Sequence, residues 1–410
     1  MNGSNTDKPR LLVLTSTFPR WSGDTGPRFV YDLCRHLAQY FDVTVLAPHC
    51  AGAQRKESMA EGLLVRRFRY APQPFERLAY EGGMPSKLKR FPAYWLLVPV
   101  MLAAQWLVLV RMLRTGRYVA VHAHWSIPQG LVAVLARPFS QQPFRLVCTA
   151  HGSDLYGFNG AIGRRVKRYV WRSVDQLAVV SEAMARDVQA IASDVTPKVA
   201  PMGVDLTHTF VPSGSSALRS RQVLFVGRLV AGKGLEALLS AWPMVRKSFP
   251  EAKLLIVGDG PRQAEVAARI SDDDTGRGIS LQGSVPHATL ARLLQASAVV
   301  VLPFTGHEGL GLAVIEAMGC GCPVVVGDIP SVHELVGDGV TGWIVDAKDY
   351  TALAGRVMKL LAEPVEARCM GERARRSVLS RFDWPVVARR YRDILQDLPG
   401  SYLRVDATGF

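Results

Sequence analysis

The sequence predicts an α/β protein built as two doubly wound domains. Apolar runs of strand length alternate with helix-period segments from about Leu11 to Leu398. Glycine-bearing loops follow several of those runs, and ligands of open α/β sheets bind at the carboxyl ends of strands. The alternation stops at Pro212-Ser-Gly-Ser-Ser and restarts at Gln222, which divides the chain into a first domain 1–205, a linker 206–221, a second domain 222–382 and a helix with tail 383–410. A chain of 410 residues, 48% of them hydrophobic, is long enough for two cores.

The first domain opens with Leu11–Thr15 as a buried parallel strand, followed by a loop carrying Gly23 and Gly26. Pro27 suits the first position of a helix that runs through Gln39. Asp42–Ala47 and Leu63–Tyr70 are the next strands, and Val119–His124 and Phe144–Thr149 follow after an apolar insertion. His124 and His151 therefore stand at strand ends, where they are expected to point toward a cleft. Gln176–Ser181 and Lys198–Asp205 close the domain.

The insertion is Phe91–Val110, which carries no charge and one amide, Gln105, between Lys87, Lys89 and Arg90 on one side and Arg111 and Arg114 on the other. Its length could span a bilayer. A span would put two parts of one sheet on opposite sides of the membrane, and Pro99 breaks the helix near its middle. A helix lying in the membrane interface, held by Trp95, Trp106 and the flanking cations, fits better. Packing against the protein's own sheet is the alternative.

The second domain begins with the strand Gln222–Val226. Arg228 and Lys233 follow, Lys233 between Gly232 and Gly234. Two fixed cations with amide donors can neutralise a diphosphate. Lys253–Val257 and Ile279–Gln282 are further strands, and Ala298–Leu302 leads into His307-Glu-Gly-Leu-Gly-Leu312, where a helix opens near Leu310. A helix start bracketed by Gly309 and Gly311 is an anion site, because its first amides lack partners and the dipole favours negative charge. Glu308 precedes that start and Glu316 lies in its second turn. Carboxylates on both sides of a phosphate cradle suit a ligand with hydroxyls on both sides of a diphosphate, a nucleotide sugar.

Glu308–Glu316 resembles the E-x7-E signature of the retaining nucleotide-sugar glycosyltransferases of family 4, of the bacterial polysaccharide and cell-envelope type. Gly227-Arg228 with Lys233-Gly234 resembles that family's phosphate element, Gly258-Asp-Gly-Pro261 its G-D-G-P turn, and His151-Gly-Ser-Asp154 the loop of its sugar-contacting histidine. The chain departs from the pattern at Met202, where asparagine is usual, and at Gly23 and Gly26, where a Gly-Gly pair is common. The resemblance implies a GT-B fold, two facing Rossmann-like domains with an interdomain cleft, and a C-terminal helix after Arg381-Phe-Asp-Trp384 that crosses back to the first domain. It implies donor binding by Gly26, Arg228, Lys233, Val285, Gly309, Leu310, Gly311, Leu312 and Glu316. His151 and Glu308 are implied at the transferred sugar. It further implies a nucleotide-sugar donor, a glycan or lipid-diphosphate-linked acceptor, and no metal or cofactor. A phosphorylase or a non-catalytic sugar-nucleotide binder of the same fold is the alternative.

Other chemistries find less support. Gly258-Asp-Gly260 lacks the third glycine of a dinucleotide fingerprint, position 263 being Gln263. Asp272-Asp-Asp274 reads as a solvated turn, and His122 with His124 lacks a third metal ligand. Six scattered cysteines, Cys320 and Cys322 included, fit buried small residues in a reducing compartment. The polar N-terminus is followed by an apolar run too short for a signal peptide. Residues 1–210 hold 26 Lys and Arg against 14 Asp and Glu, whereas the remainder is nearly neutral. The basic half implies an anionic partner. No nucleic-acid module is visible, so the expected place is the cytoplasm, peripheral at the anionic inner face of the plasma membrane.

Overall fold

Eight strands form the first sheet: β1 Arg10–Leu14, β2 Asp42–Pro48, β3 Lys56–Ala60, β4 Leu63–Phe68, β5 Ala120–His124, β6 Arg145–Ala150, β7 Gln176–Val179 and β8 Lys198–Val199. Their order is β3-β4-β2-β1-β5-β6-β7-β8, and only β3 runs antiparallel to its neighbour. The central strands are continuous apolar runs because helices cover both faces of a parallel sheet; Leu11 to Leu14 are wholly buried. β3, at the edge, was not expected. Its sequence, Lys56-Glu-Ser-Met-Ala60, carries too few apolar residues to announce a strand.

The second sheet contains β9 Ser220–Val226, β10 Lys253–Val257, β11 Ile279–Gln282, β12 Ser297–Leu302, β13 Val324–Gly327 and β14 Trp343–Val345. All its pairings are parallel, in the order β11-β10-β9-β12-β13-β14. The direction of winding reverses between β9 and β12, so the loops leaving those two strands flank the switch point where such sheets bind ligands.

The structure, a computed structural model, describes residues 8–397 apart from 22, 25, 81–83, 214–218 and 272–275. The Asp272–Asp274 turn and part of the expected linker lie outside the described residues. The chain divides into two compact units: one holds the residues through Val180, Met184–Ala200 and everything from Val387, the other Ser181–Ala183 and Pro201–Val386. The change of unit thus falls at Ala200 rather than after 205. The reason is local: Arg375 donates to the carbonyls of Leu206 and Phe210, and Asp383 accepts from Leu206 N at 3.1 Å and Thr207 Oγ1 at 2.6 Å, which ties 206–210 into the second unit. The last helix, Trp384–Gln396, leaves that unit at Val387. Within the first unit its Tyr391 hydroxyl donates to Ala200 O at 2.7 Å, and Arg145 Nε donates to Ile394 O at 2.8 Å.

Two helix boundaries differ from expectation. The first helix spans Phe29–Leu37, so Pro27 precedes it instead of occupying its first position. The apolar insertion is a 3-10 turn, Pro92–Leu96, running into a helix Leu97–Thr115. Pro99 is therefore the third helical residue, within the first turn, where a missing amide proton costs no helix hydrogen bond, and the helix continues past it. Pro92–Thr115 is long and apolar enough to cross a membrane, and 33% of its most apolar window is buried.

Candidate active site

In the second unit, the loop after β9 lies against the loop after β12. Gly232 O accepts from Thr305 N at 3.0 Å and Gly306 N at 3.1 Å. Gly234 has φ +76°, and a Cβ there would overlap Pro303 O, so only glycine lets the two loops close. This packing brings Lys233 to the β12 loop. Its ammonium group makes a close ion pair with the Glu308 carboxylate, and lies 5.3 Å from the centre of the Phe304 ring. Both partners of the pair are half-buried. Arg228, on the same β9 loop, is exposed.

The helix expected from Leu310 begins at Leu312 and ends at Gly319. Gly311, at φ +78°, takes a left-handed turn that holds Leu310 outside the helix, and no side chain caps the start. Gly309, Leu310 and Gly311 are buried and Leu312 half-buried. Glu316 sits in the second turn, half-buried, and desolvation pushes its carboxyl up to about 8. Val285 lies in the loop after β11. Asp259, which sequence reasoning left without a role, holds that loop by accepting from Ser284 N at 3.0 Å. Arg228, Lys233, Val285, Glu308 and the 309–312 turn thus all follow carboxyl ends of β9, β11 and β12, on one edge of one sheet.

In the first unit, β5 and β6 are register partners at His124 and Thr149. His151, just beyond β6, is half-buried and packs among Phe29, Trp125 and His124, with ring centres 5.1, 4.9 and 5.2 Å away. Asp154 holds this loop: Oδ1 accepts from His151 N at 2.9 Å and Oδ2 from Ser126 N at 2.7 Å. Asp154 belongs to the run His151-Gly-Ser-Asp154, yet nothing in sequence marks it as the fastener. His124 does not point into an opening as expected. It is wholly buried behind His151, because β5 is covered on both faces and every residue of it is buried. Burial lowers all three histidines, His122 and His151 to about 3 and His124 well below its ordinary value. Among the described residues no group of three or more His, Cys, Asp or Glu is placed to hold a metal.

The first glycine loop is already internally bonded. Gly26 N donates to Asp24 Oδ1 at 3.3 Å, so the amide expected to meet a diphosphate has a partner. Arg20 grips the same carboxylate at 2.8 Å, and its hydrogen bond draws Asp24 down to about 2 in spite of burial. Cys320 and Cys322 are buried, with thiols that burial pushes up to about 12 and about 11. They are inert packing residues.

Residues 208–377 match the family model of glycosyl transferases group 1, and residues 26–208 that of glycosyltransferase family 4. The GDP-mannose-dependent alpha-(1-6)-phosphatidylinositol monomannoside mannosyltransferase of Mycolicibacterium smegmatis is 26% identical over 401 residues, covering 94% of this chain and 98% of that protein. A glycogen synthase of Mycobacterium tuberculosis is 27% identical over 67% of this chain and 68% of its own length. Among solved structures, sucrose-phosphate synthase from Thermosynechococcus elongatus superposes with TM-score 0.78 at 21% identity, over 95% of this chain and 99% of that one. Anabaena Alr3699/HepE in complex with UDP and glucose gives 0.74 at 17%, over 95% and 100%. The two family models together match residues 26–377 and the fold is shared over 95% of the chain, so this protein belongs to the family 4 glycosyltransferases and has their GT-B fold.

Proposed function

We propose that this enzyme is a metal-independent retaining hexosyltransferase that moves a sugar from a nucleotide-sugar donor to a glycan or lipid-linked acceptor in envelope or polysaccharide synthesis. The observation that carries the reading is the meeting of Lys233 and Glu308 beside the uncapped helix start at Gly311, where the β9 and β12 loops pack together. Lys233, Arg228 and the amides of Leu310 to Leu312 hold the departing diphosphate. Glu316 accepts from the ribose, and the backbone near Val285 meets the base. Glu308 and His151 contact the transferred sugar. The bond between the anomeric carbon and the phosphate oxygen breaks, the acceptor oxygen bonds to the same face of that carbon, and its proton passes to the leaving phosphate. Two cations and a helix start balance the leaving charge, which is why no divalent ion is needed.

The mycobacterial relative's name supports a lipid-linked acceptor and a GDP-mannose donor, whereas the Anabaena neighbour was solved with UDP. An apolar helix face beside arginines supports peripheral attachment to an anionic membrane. The test is a panel of GDP-, UDP- and ADP-sugars with lipid and oligosaccharide acceptors, run before and after exhaustive chelation. Product of retained configuration without metal is expected. A strict Mg²⁺ or Mn²⁺ requirement contradicts the mechanism, and nucleotide binding without transfer to any acceptor favours a non-catalytic binder.

A further inference from the structure

We infer that His124 is a positioning residue, which fixes the tautomer of His151 and keeps the His151 ring proton on Nδ1. The inference rests on the proposed reading in which His151 touches the donor sugar, and it gives that contact a direction. His124 Nδ1 lies 2.9 Å from His151 Nε2, and the two rings are stacked within 20° of parallel. Burial keeps both imidazoles neutral at pH 7, so one proton lies between these two nitrogens.

Two arrangements are possible, and they leave different atoms stranded. If His151 Nε2–H donated, His124 would carry its proton on Nε2. That atom is buried without a hydrogen-bond partner among the described residues. A buried N–H with no acceptor is the rarer and costlier orphan; an unfilled ring lone pair is better tolerated. The bond therefore runs from His124 Nδ1–H to His151 Nε2. His151 then holds its one proton on Nδ1.

The neighbouring histidine obeys the same rule. His122 Nδ1 is also buried without a partner among the described residues, so its proton belongs on Nε2, which lies 2.8 Å from Thr149 Oγ1. Thr149 accepts there. Asp154 fastens the backbone of the His151 loop. His151 thus offers a donor hydrogen to a sugar hydroxyl oxygen. It has no free nitrogen lone pair with which to act as a base.

Imidazole-¹⁵N-labelled protein and long-range ¹H–¹⁵N correlation at pH 7 read the tautomer directly, with the His151 resonances assigned by their loss in His151→Asn. A protonated Nδ1 and an unprotonated Nε2 on His151 are expected; the opposite pattern overturns the inference. His124→Asn places an amide N–H near the Nδ1 position, whereas His124→Leu offers none. Leu should lower kcat on the order of tenfold with nucleoside diphosphate affinity unchanged, and Asn should recover most of the loss. Equal losses in both variants would mean His124 only fills space. Should the Leu variant not fold, the wild-type spectrum and the Asn variant's turnover still decide. A His151→Ala variant with undiminished kcat would sink the sugar contact itself, and would leave the tautomer result standing.

Discussion

At the scale of single residues, Lys233 is ion-paired with Glu308 in the proposed donor site. A diphosphate must compete for that ammonium group. Lys233→Ala should therefore weaken nucleoside diphosphate binding by roughly 1.5–3 kcal/mol, the range for a charge-assisted bond. Glu308→Gln should do the reverse, tightening free nucleotide by a few-fold while turnover collapses, because the competitor is gone and so is the proposed sugar contact. Calorimetric titration of both variants checks this, and weaker nucleotide binding by Glu308→Gln would refute it. Glu316 carries a pH signature of its own. Its folded value of about 8 lies above that of the unfolded chain. Between the ordinary glutamate range and pH 8 the folded state keeps a proton that the unfolded chain releases, so this group's contribution to stability falls as pH rises through that window. Glu316→Gln, which mimics the protonated form, should gain in melting temperature over wild type as pH goes from 6 to 8.5. A gap that is constant with pH would mean the carboxyl is already ionised at pH 6.

At the scale of elements, the strands were legible because burial on both faces writes itself as runs of Val, Leu and Ile, as in Val299–Leu302 and Val324–Val326. The loops that carry Arg228, Lys233, Glu308 and the 309–312 turn were legible because glycines mark where backbone must come close. Helix starts were not. Both the Leu310 and the Pro27 boundaries moved by about a turn or less, since a left-handed glycine or an extra loop residue delays a helix without altering its apolar period. The ties between distant residues were invisible too, Asp154 to Ser126 and Lys233 to Glu308 among them. Gln105 offers a test at this scale. It is wholly buried in the Leu97–Thr115 helix, and both amide atoms lack hydrogen-bond partners among the described residues. A stranded polar group costs about 1–3 kcal/mol. Gln105→Met, of the same length and unbranched, should raise the denaturant midpoint accordingly. A fall of similar size would show that the amide is satisfied by ordered water.

At the scale of the molecule, the question is where a basic first half and an apolar helix face put the enzyme. Along Leu97–Thr115, Met101, Gln105, Leu109 and Met112 face inward, one turn apart. Val100, Ala103 and Leu107 line the opposite side in solvent, Leu107 at 61% exposure, and the same stripe ends in the exposed Arg111 and Arg114. Phe139 extends the patch, edge-on to Trp106 at 5.2 Å and beneath Arg114 at 5.8 Å. The expected cations before the helix are less available. Lys87 donates to Arg77 O and Ala79 O, and the side chain of Lys89 lies outside the described residues; Arg90 remains exposed, over the Phe91 ring at 5.3 Å. An apolar stripe rimmed by arginines suits a helix lying in the headgroup region, where each cation adds on the order of 1 kcal/mol and each buried aliphatic side chain up to about 1.5–3 kcal/mol. Co-sedimentation with vesicles should therefore rise with anionic lipid and fall with salt. Arg111→Gln with Arg114→Gln should flatten the salt dependence, and Val100→Asp with Leu107→Asp should abolish binding even at low salt. All four positions are exposed, so folding should survive, as circular dichroism would verify. If wild-type protein stays in the supernatant with anionic vesicles at low salt, the stripe is no membrane seat, and a soluble glycan becomes the better acceptor.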